Sequence, residues 1–388
     1  MKHIKYILFY FTSSLTLAQT ALHNAGKLGL HNNVQIGFHT DWINNANFEG
    51  NVGLIGFYGD NTLTLSGTVV PVVFDAELFV PNQLVLENAL NVTNNFNFIS
   101  GDVRSNLNNE TVYLNFEPNA FFNGENDMAK VTGFAATTDA SFFTFPVGDE
   151  EQLRPLILDS EGSNQRAICA YLFENPESPL SLNLRYSLDN KVNNIGEISD
   201  REFWILEADR PSKVTISWNL RSELDILANN LEDIILVGWS KSNQQWVVIG
   251  NSNLTGTLDS GFLISDTFVP SDFEVITFGT TPLPTDTFAV NNPSLGNYYL
   301  TPNNDGTNDA LVFDELEDAG NNQVWIFNKF GQKVFEMMNY TNQFNGVSNI
   351  NNLVIGRELG LPEGVYYYII ELPEAGLSYQ GFLYLDRK

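Results

Sequence analysis

Along nearly the whole chain, apolar and polar residues either alternate with period two or gather in short apolar bursts between Asn, Gly and Asp turns. Alternation at that period places successive side chains on opposite faces of an extended strand, so the pattern predicts an all-β protein. In the first region the bursts are short, at 63–65, 72–74, 84–86, 96–99, 112–116 and 131–134. Their spacing is too uneven to fix a repeat, and the region is expected to be either a stack of rungs or an irregular β fold. Beyond residue 160 the bursts lengthen, at 170–173, 180–186, 203–206, 214–218, 234–239, 245–250 and 273–278. Seven strands in that span match the size of an immunoglobulin-like β-sandwich. Trp204, Trp218, Trp239 and Trp246 lie on them and are expected to fill the core, each burying on the order of 200 Å², with a sugar-stacking platform as the alternative. The best helical spacing is at 221–231, where Leu224, Leu227 and Leu231 share one face over about three turns.

These patterns divide the chain. Lys2 and Lys5 precede an apolar stretch from Ile7 to Leu17, and Thr16 and Ala18 are small residues where a signal peptidase reads, so 1–18 is expected to be a signal peptide and Gln19 the mature terminus. That stretch is shorter than the about 20 residues a membrane-spanning helix needs, and no later segment replaces it, so no direct membrane span is expected. An N-terminal β region over 19–159 closes on Phe145-Pro146-Val147-Gly148-Asp149. The sandwich follows over 160–280, then a Pro/Thr linker over 281–289 and a last module over 290–388. Cys169 is the single cysteine, which rules out an intramolecular disulfide framework and leaves the fold to its apolar cores.

Composition sharpens this picture in two respects. Charged residues are only 17% while aromatics reach 13%, a balance that suits sheets with buried aromatic faces. The 46 acidic against 19 basic residues give a net charge of −27, which argues against nucleic acid and against an anionic membrane surface as partners.

Four phrases in the last module stand in a fixed order: Thr301-Pro302-Asn303-Asn304-Asp305-Gly306-Thr307-Asn308-Asp309, then Trp325-Ile326-Phe327-Asn328-Lys329-Phe330-Gly331, then Gly364-Val365-Tyr366-Tyr367-Tyr368, and Gly381 to Arg387 at the end. Between them, Phe344-Asn345-Gly346 forms a fifth. In this order the module resembles a gliding-motility-associated C-terminal domain, a β-sandwich sorting domain of Bacteroidota cargo for the type IX secretion system, second subtype. The resemblance carries the sorting-motif assignment onto Pro302, Asn303, Asp305, Gly306, Asn308, Asp309, Phe327, Gly331, Gly346, Gly364, Tyr366, Gly381 and Arg387. Relatives have Gly where this chain has Asn304, and Trp-Asp-Gly where it has Phe344-Asn345-Gly346. What the resemblance implies is passage through the type IX translocon, contact with a PorP/SprF-like outer-membrane barrel protein and with other surface adhesins, and a secreted, cell-surface or outer-membrane-associated location.

The residues admit further chemistry. In the first loop, Asn303, Asp305 and Asp309 offer side-chain oxygens around Gly306, which fits either an Asx turn or a Ca²⁺ site; no other cofactor is expected. Val324, Ile326, Val334 and Phe335 are expected to form the buried face of a hairpin turning at 329–332, and the run of tyrosines from Tyr366 should alternate in and out. His23, His31 and His39 are eight apart, but they lack a defined fourth ligand and are expected to be solvated. No nucleophile motif accompanies them, and a non-catalytic protein is expected: an adaptor or accessory component at the outer membrane, linked to gliding motility or adhesin attachment. An adhesive or carbohydrate-binding protein that uses the tail only for export is the alternative.

Overall fold

The computed structural model describes residues 21–282, 297–314, 316, 321–350, 360–373 and 377–387; the expected signal peptide and most of the expected linker lie outside them. Of the two forms expected for the first region, the rung stack is the one observed. Ala21–Asn24, Asp41–Asn44, Leu63–Ser66, Leu84–Leu86, Val103–Arg104 and Val131–Thr132 stack as a narrow sheet. Gln35–Phe38, Leu54–Tyr58, Val72–Phe79, Leu90–Ser100, Leu114–Phe116 and Ala135–Phe145 stack as a wide one, and all pairs within each are parallel. Each rung gives one strand to each sheet, except that the fifth gives the wide sheet two, Leu114–Phe116 and Phe121–Asn123, both paired with Leu90–Ser100. Rungs advance by as few as 19 residues, from Leu84 to Val103, and as many as 28, from Val103 to Val131, which is why no repeat is visible in the sequence.

Between the sheets, inward side chains fall in columns such as Phe38, Phe57, Leu78 and Phe98, all buried. At the corners the backbone turns away from both ladders, and buried asparagines satisfy it. Asn44 Nδ2 donates to Val69 O at 2.8 Å and its Oδ1 accepts from Asn24 at 2.7 Å, while Asn51 Oδ1 accepts from Leu30 N at 2.6 Å. An amide carries both donor and acceptor, so one side chain can serve two rungs.

The wide sheet continues into the second region. Strand Leu156–Leu172 runs antiparallel along Ala135–Phe145, and its outer edge is shared between two neighbours. Its first half pairs with Ser212–Trp218 and its second half with Phe203–Glu207, so two sheets diverge from one strand. One sheet adds Phe273–Thr280, Ile234–Ser240 and Gln245–Val248; the other adds Ser260–Ser265 and Asn251–Thr257. Trp204, Trp218, Leu236, Leu263 and Phe278 fill the space between them in a core continuous with that of the solenoid. Trp239 and Trp246 are also buried, but on the opposite face of the first sheet, which Tyr186, Ile195 and Ile198 cover. Burial on both faces explains the unbroken apolar runs at Phe203–Glu207 and Ile234–Ser240.

Two sequence expectations need correction. Residues 180–186 are not a strand: Leu180 and Leu184 are exposed, whereas Tyr186 packs on the sheet as part of an irregular cover. Nor is 221–231 one helix. It splits into Leu220–Ser222, Leu224–Leu227 and Leu231–Asp233 because Glu223 adopts a left-handed conformation, φ 49°, although Leu224, Leu227 and Leu231 do face the core.

The C-terminal module is a separate five-stranded sheet in the order Asn297–Leu300, Leu377–Leu385, Gly364–Leu372, Gln323–Asn328, Lys333–Met338. Its first pair is parallel and the others are antiparallel. Leu311, Phe313, Tyr340, Phe344 and Leu361, from loops, close its inner face in a core of its own.

Between the two sheets that leave strand Leu156–Leu172, at their ends remote from residues 160–168, Arg154 Nη2 meets Glu202 Oε2 at 2.6 Å with both side chains buried, and Tyr171 donates to the same carboxylate oxygen at 2.7 Å. Removing one partner strands the other charge in a dry site. Arg154→Met is therefore expected to cost about 3–5 kcal/mol, and Arg154→Met with Glu202→Leu to recover most of that loss. Urea denaturation followed by tryptophan fluorescence measures both; equal midpoints for the single and double variants would contradict the account.

Candidate functional site: the C-terminal module

The first loop is a set of turns closed by its own side chains. Asp309 accepts from two backbone N–H groups, Asn304 at 2.6 Å on Oδ1 and Gly306 at 2.8 Å on Oδ2. Asp305 accepts from Thr307 N at 2.8 Å and from Asn303 Nδ2 at 2.9 Å, and Asn303 Oδ1 accepts from Asp305 N at 3.1 Å. Asn304, Gly306 and Asn308 take positive φ of 62°, 88° and 55°. Asn tolerates this conformation through its short polar side chain, so Asn304 can occupy the position. The three candidate Ca²⁺ ligands, Asn303, Asp305 and Asp309, thus come together, each with side-chain oxygen directed at the loop's own donors.

The hairpin follows the expected pattern. Val324, Ile326, Val334 and Phe335 are all buried, and the register slips between Ile326 and Phe327, which lets the adjacent Val334 and Phe335 both turn inward. Its turn is built by Asn328, whose Oδ1 accepts from Phe330 N at 2.9 Å and Gln332 N at 3.0 Å, with Gly331 at φ 75°. Tyr366 and Tyr368 are buried and Tyr367 exposed, as the alternation requires; Tyr366 donates to Pro362 O at 2.8 Å. Gly364, φ 143°, opens that strand, and at Gly381 any Cβ would overlap the ring of Tyr368.

At the chain end Arg387 works as a clamp. Its Nε donates to Leu361 O at 2.7 Å and its Nη2 to Gly346 O at 2.8 Å, tying the last strand to two loops. Gly346 and Gly360 lie under the guanidinium at φ 79° and 75°; a Cβ at Gly360 would collide with it, and one at Gly346 would also press on Pro302, 3.3 Å away. Pro302, Gly346 and Arg387, distant in sequence, therefore form one corner. Sequence reasoning missed Asn322, which is buried and brackets Tyr340, accepting from its N–H at 2.7 Å and donating to Leu316 O at 3.2 Å. A lone polar residue before an apolar strand gives no signal of that role.

Phe327 belongs to the sheet's outer face. Tyr299 pairs with Tyr384, Tyr367 with Phe382 and with Phe327, and Trp325 with Ile369, in one aromatic surface. Tyr299, Tyr367, Phe382 and Tyr384 remain 40–51% exposed. One edge of the sheet is closed by side chains rather than by a strand: Asn349 Oδ1 accepts from Glu336 N at 3.0 Å, and Ser348 donates to Val334 O at 2.6 Å.

A cleft of 1120 Å³ lies elsewhere, between the narrow solenoid sheet and the sandwich. Both of its arginines are paired with its carboxylates. Arg221 pairs with Asp149 and Glu151 and stacks over Phe173, and Arg104 meets Glu150 at 3.7 Å. Burial alone would raise the Asp149 carboxyl, but the Arg221 guanidinium and backbone N–H donors outweigh it and hold the group below its ordinary range. His23, His31 and His39 are exposed, and among the described residues no three His, Cys, Asp or Glu side chains gather as metal ligands.

Arg387→Ala is expected to destabilise the module by about 1.5–3 kcal/mol, the scale of hydrogen bonds from a charged donor. Arg387→Lys should not restore it, since an ammonium is a single centre and lacks the planar fork whose Nε and Nη2 reach the two carbonyls separately. Faster amide hydrogen exchange at Leu361 in both variants is the measurement; unchanged exchange would deny the clamp.

Residues 294–385 match the family model described as CHU_C type IX secretion signal domain. No curated protein and no solved structure matches the chain. The match spans the described five-stranded sheet, from Asn297 to Leu385, and the Arg387 clamp lies just beyond its end. The chain is thus a cargo protein of the type IX secretion system, sent out of the cell by the sorting domain at its C-terminal end.

Proposed function

We propose that the protein acts outside the cell as a non-catalytic adaptor or accessory component, held at the outer membrane through a PorP/SprF-like barrel and serving gliding motility or adhesin attachment. The observation that carries this reading is the aromatic outer face of the module's sheet, where Tyr299, Tyr367, Phe382 and Tyr384 stand exposed on neighbouring strands. Because the Lys333–Met338 edge is occupied by Ser348 and Asn349, docking uses this face in preference to that strand edge. Twelve acidic against five basic residues between 297 and 388 call for a partner surface that is neutral or basic. The first loop serves as a turn without a bound cation, its carboxylates already accepting from backbone N–H groups.

A second reading, a carbohydrate-binding or adhesive body that uses the module only for export, is favoured by the outer face of the wide solenoid sheet, where Tyr58 lies across two glycines.

A signal peptide followed by a fluorescent reporter and residues 285–388 is expected to reach the cell surface; retention in the periplasm with a matching barrel present would refute sufficiency. Placing carboxylates on the aromatic face, Tyr367→Asp with Phe382→Asp, is expected to abolish co-purification with the barrel while circular dichroism stays unchanged. Undiminished co-purification would exclude this face as the docking surface.

A further inference from the structure

The wide solenoid sheet carries an outward row that crosses five rungs in register: Gly37, Gly56, Glu77, Asn97 and Asn123. The first two members have no side chain, and Tyr58 uses the gap. Its ring leans back over both, so closely that a Cβ at Gly56 would overlap it and one at Gly37 would stand 3.1 Å away. The hydroxyl reaches along the row to Glu77, and Asn123 Nδ2 donates to Asn97 Oδ1 at 2.9 Å. Partial burial and the Glu77 carboxylate push the Tyr58 phenol up to about 12, so it stays protonated and keeps donating. The result is a flat aromatic plate followed by a carboxylate and two amides, one per strand, flanked by the exposed Phe79 and Phe121.

We propose that this track, along Tyr58, Glu77, Asn97 and Asn123, binds an extended neutral polysaccharide. A pyranose ring shows an apolar C–H face, which the partly exposed Tyr58 ring with the neighbouring His39 matches, and an equatorial rim of hydroxyls, which amides and carboxylates match as donors and acceptors. Strands repeat at about 4.8 Å, close to the advance of one sugar residue along a β-linked chain, so successive rungs meet successive residues. A row that repeats from strand to strand suits the interior of a polymer better than a chain terminus. Asp75 and Glu77 on the face, with a net charge of −27, select against anionic polymers. This gives the second reading above its site and ligand class, and its test uses purified protein, in which export plays no part.

Calorimetry of the mature chain with cellohexaose and with chitohexaose, and gel retardation in alginate, provides the test. One or both neutral hexaoses bind and alginate does not. Tyr58→Ala lowers affinity about tenfold or more, the scale of one lost stacking contact. Tyr58→Phe, which keeps the ring, stays within about threefold, as expected for one hydrogen bond. A lack of binding to both hexaoses overturns the proposal together with the carbohydrate reading. Binding that Tyr58→Ala leaves intact overturns this site alone and assigns the tyrosine to shielding of the glycine backbone. Should Tyr58→Ala fail to fold, the exposed Asn123→Ala and the half-buried Asn97→Ala decide: severalfold weaker binding at unchanged melting temperature supports the track, and parental affinity in both overturns it.

Discussion

Strand Leu156–Leu172 must satisfy hydrogen-bonding groups on three neighbours, and the N-terminal architecture depends on that constraint. A parallel solenoid ends in an open strand edge, which in water invites pairing with another chain. Here the last rung strand, Ala135–Phe145, is closed by an antiparallel partner long enough to follow it throughout. The partner's outer edge then exceeds what one sheet can follow. Ser212–Trp218 takes residues 157–160 and Phe203–Glu207 takes 168–172, and the gap between them opens into the sandwich core. The buried Arg154–Glu202 pair ties the two sheets together at the ends remote from this divergence, with Arg154 also donating to Ser217 O at 2.7 Å and lying 5.8 Å from the Trp204 ring centre. A buried ion pair is a weak source of net stability, but its directional bonds fix how two sheets meet.

Legibility in the sequence followed burial. Strands with one wet face showed their alternation, and strands buried on both faces showed apolar runs, so the all-β class, the tryptophan core and the inward faces of the C-terminal sheet could all be read. Leu180, Leu182, Leu184 and Tyr186 have strand spacing, yet the segment has no ladder to join, and spacing alone cannot reveal a missing partner. The hairpin of Asn251–Thr257 and Ser260–Ser265 went unseen for the opposite reason. Its first strand is largely exposed and polar apart from Leu254. The rungs were hidden by corners of unequal length, which parallel stacking tolerates because only the strands need register.

Within the sorting module, residues that carry the family pattern prove to be those the backbone path cannot spare. Gly346 sits beneath a guanidinium, Gly381 beneath the Tyr368 ring, and Gly306 and Gly331 at positive φ. Motif spacing located these positions but not what fills the space above them. The Arg387 corner in particular joins residues more than 40 positions apart, Gly346 and Arg387, through contacts that leave no periodic trace. Phe327 shows the limit from the other side: it belongs to the pattern, yet it lies on the outer face, where the fold does not need it.

That distinction separates folding from recognition in both halves of the molecule. Aromatic residues on inner faces are fixed by packing, and their exchange would be felt across a shared core. Those on outer faces, Tyr367 and Phe382 in the module and Phe79 and Phe121 on the solenoid, lie on sheets whose cores are already closed beneath them. Surface this apolar is held against water without a folding return, and under the readings proposed above a partner covers it. The two surfaces stand over separate cores, so substitutions on one are expected to leave the other unperturbed. An address and a binding face can then change independently, which is the physical condition for attaching one export signal to a body with its own function.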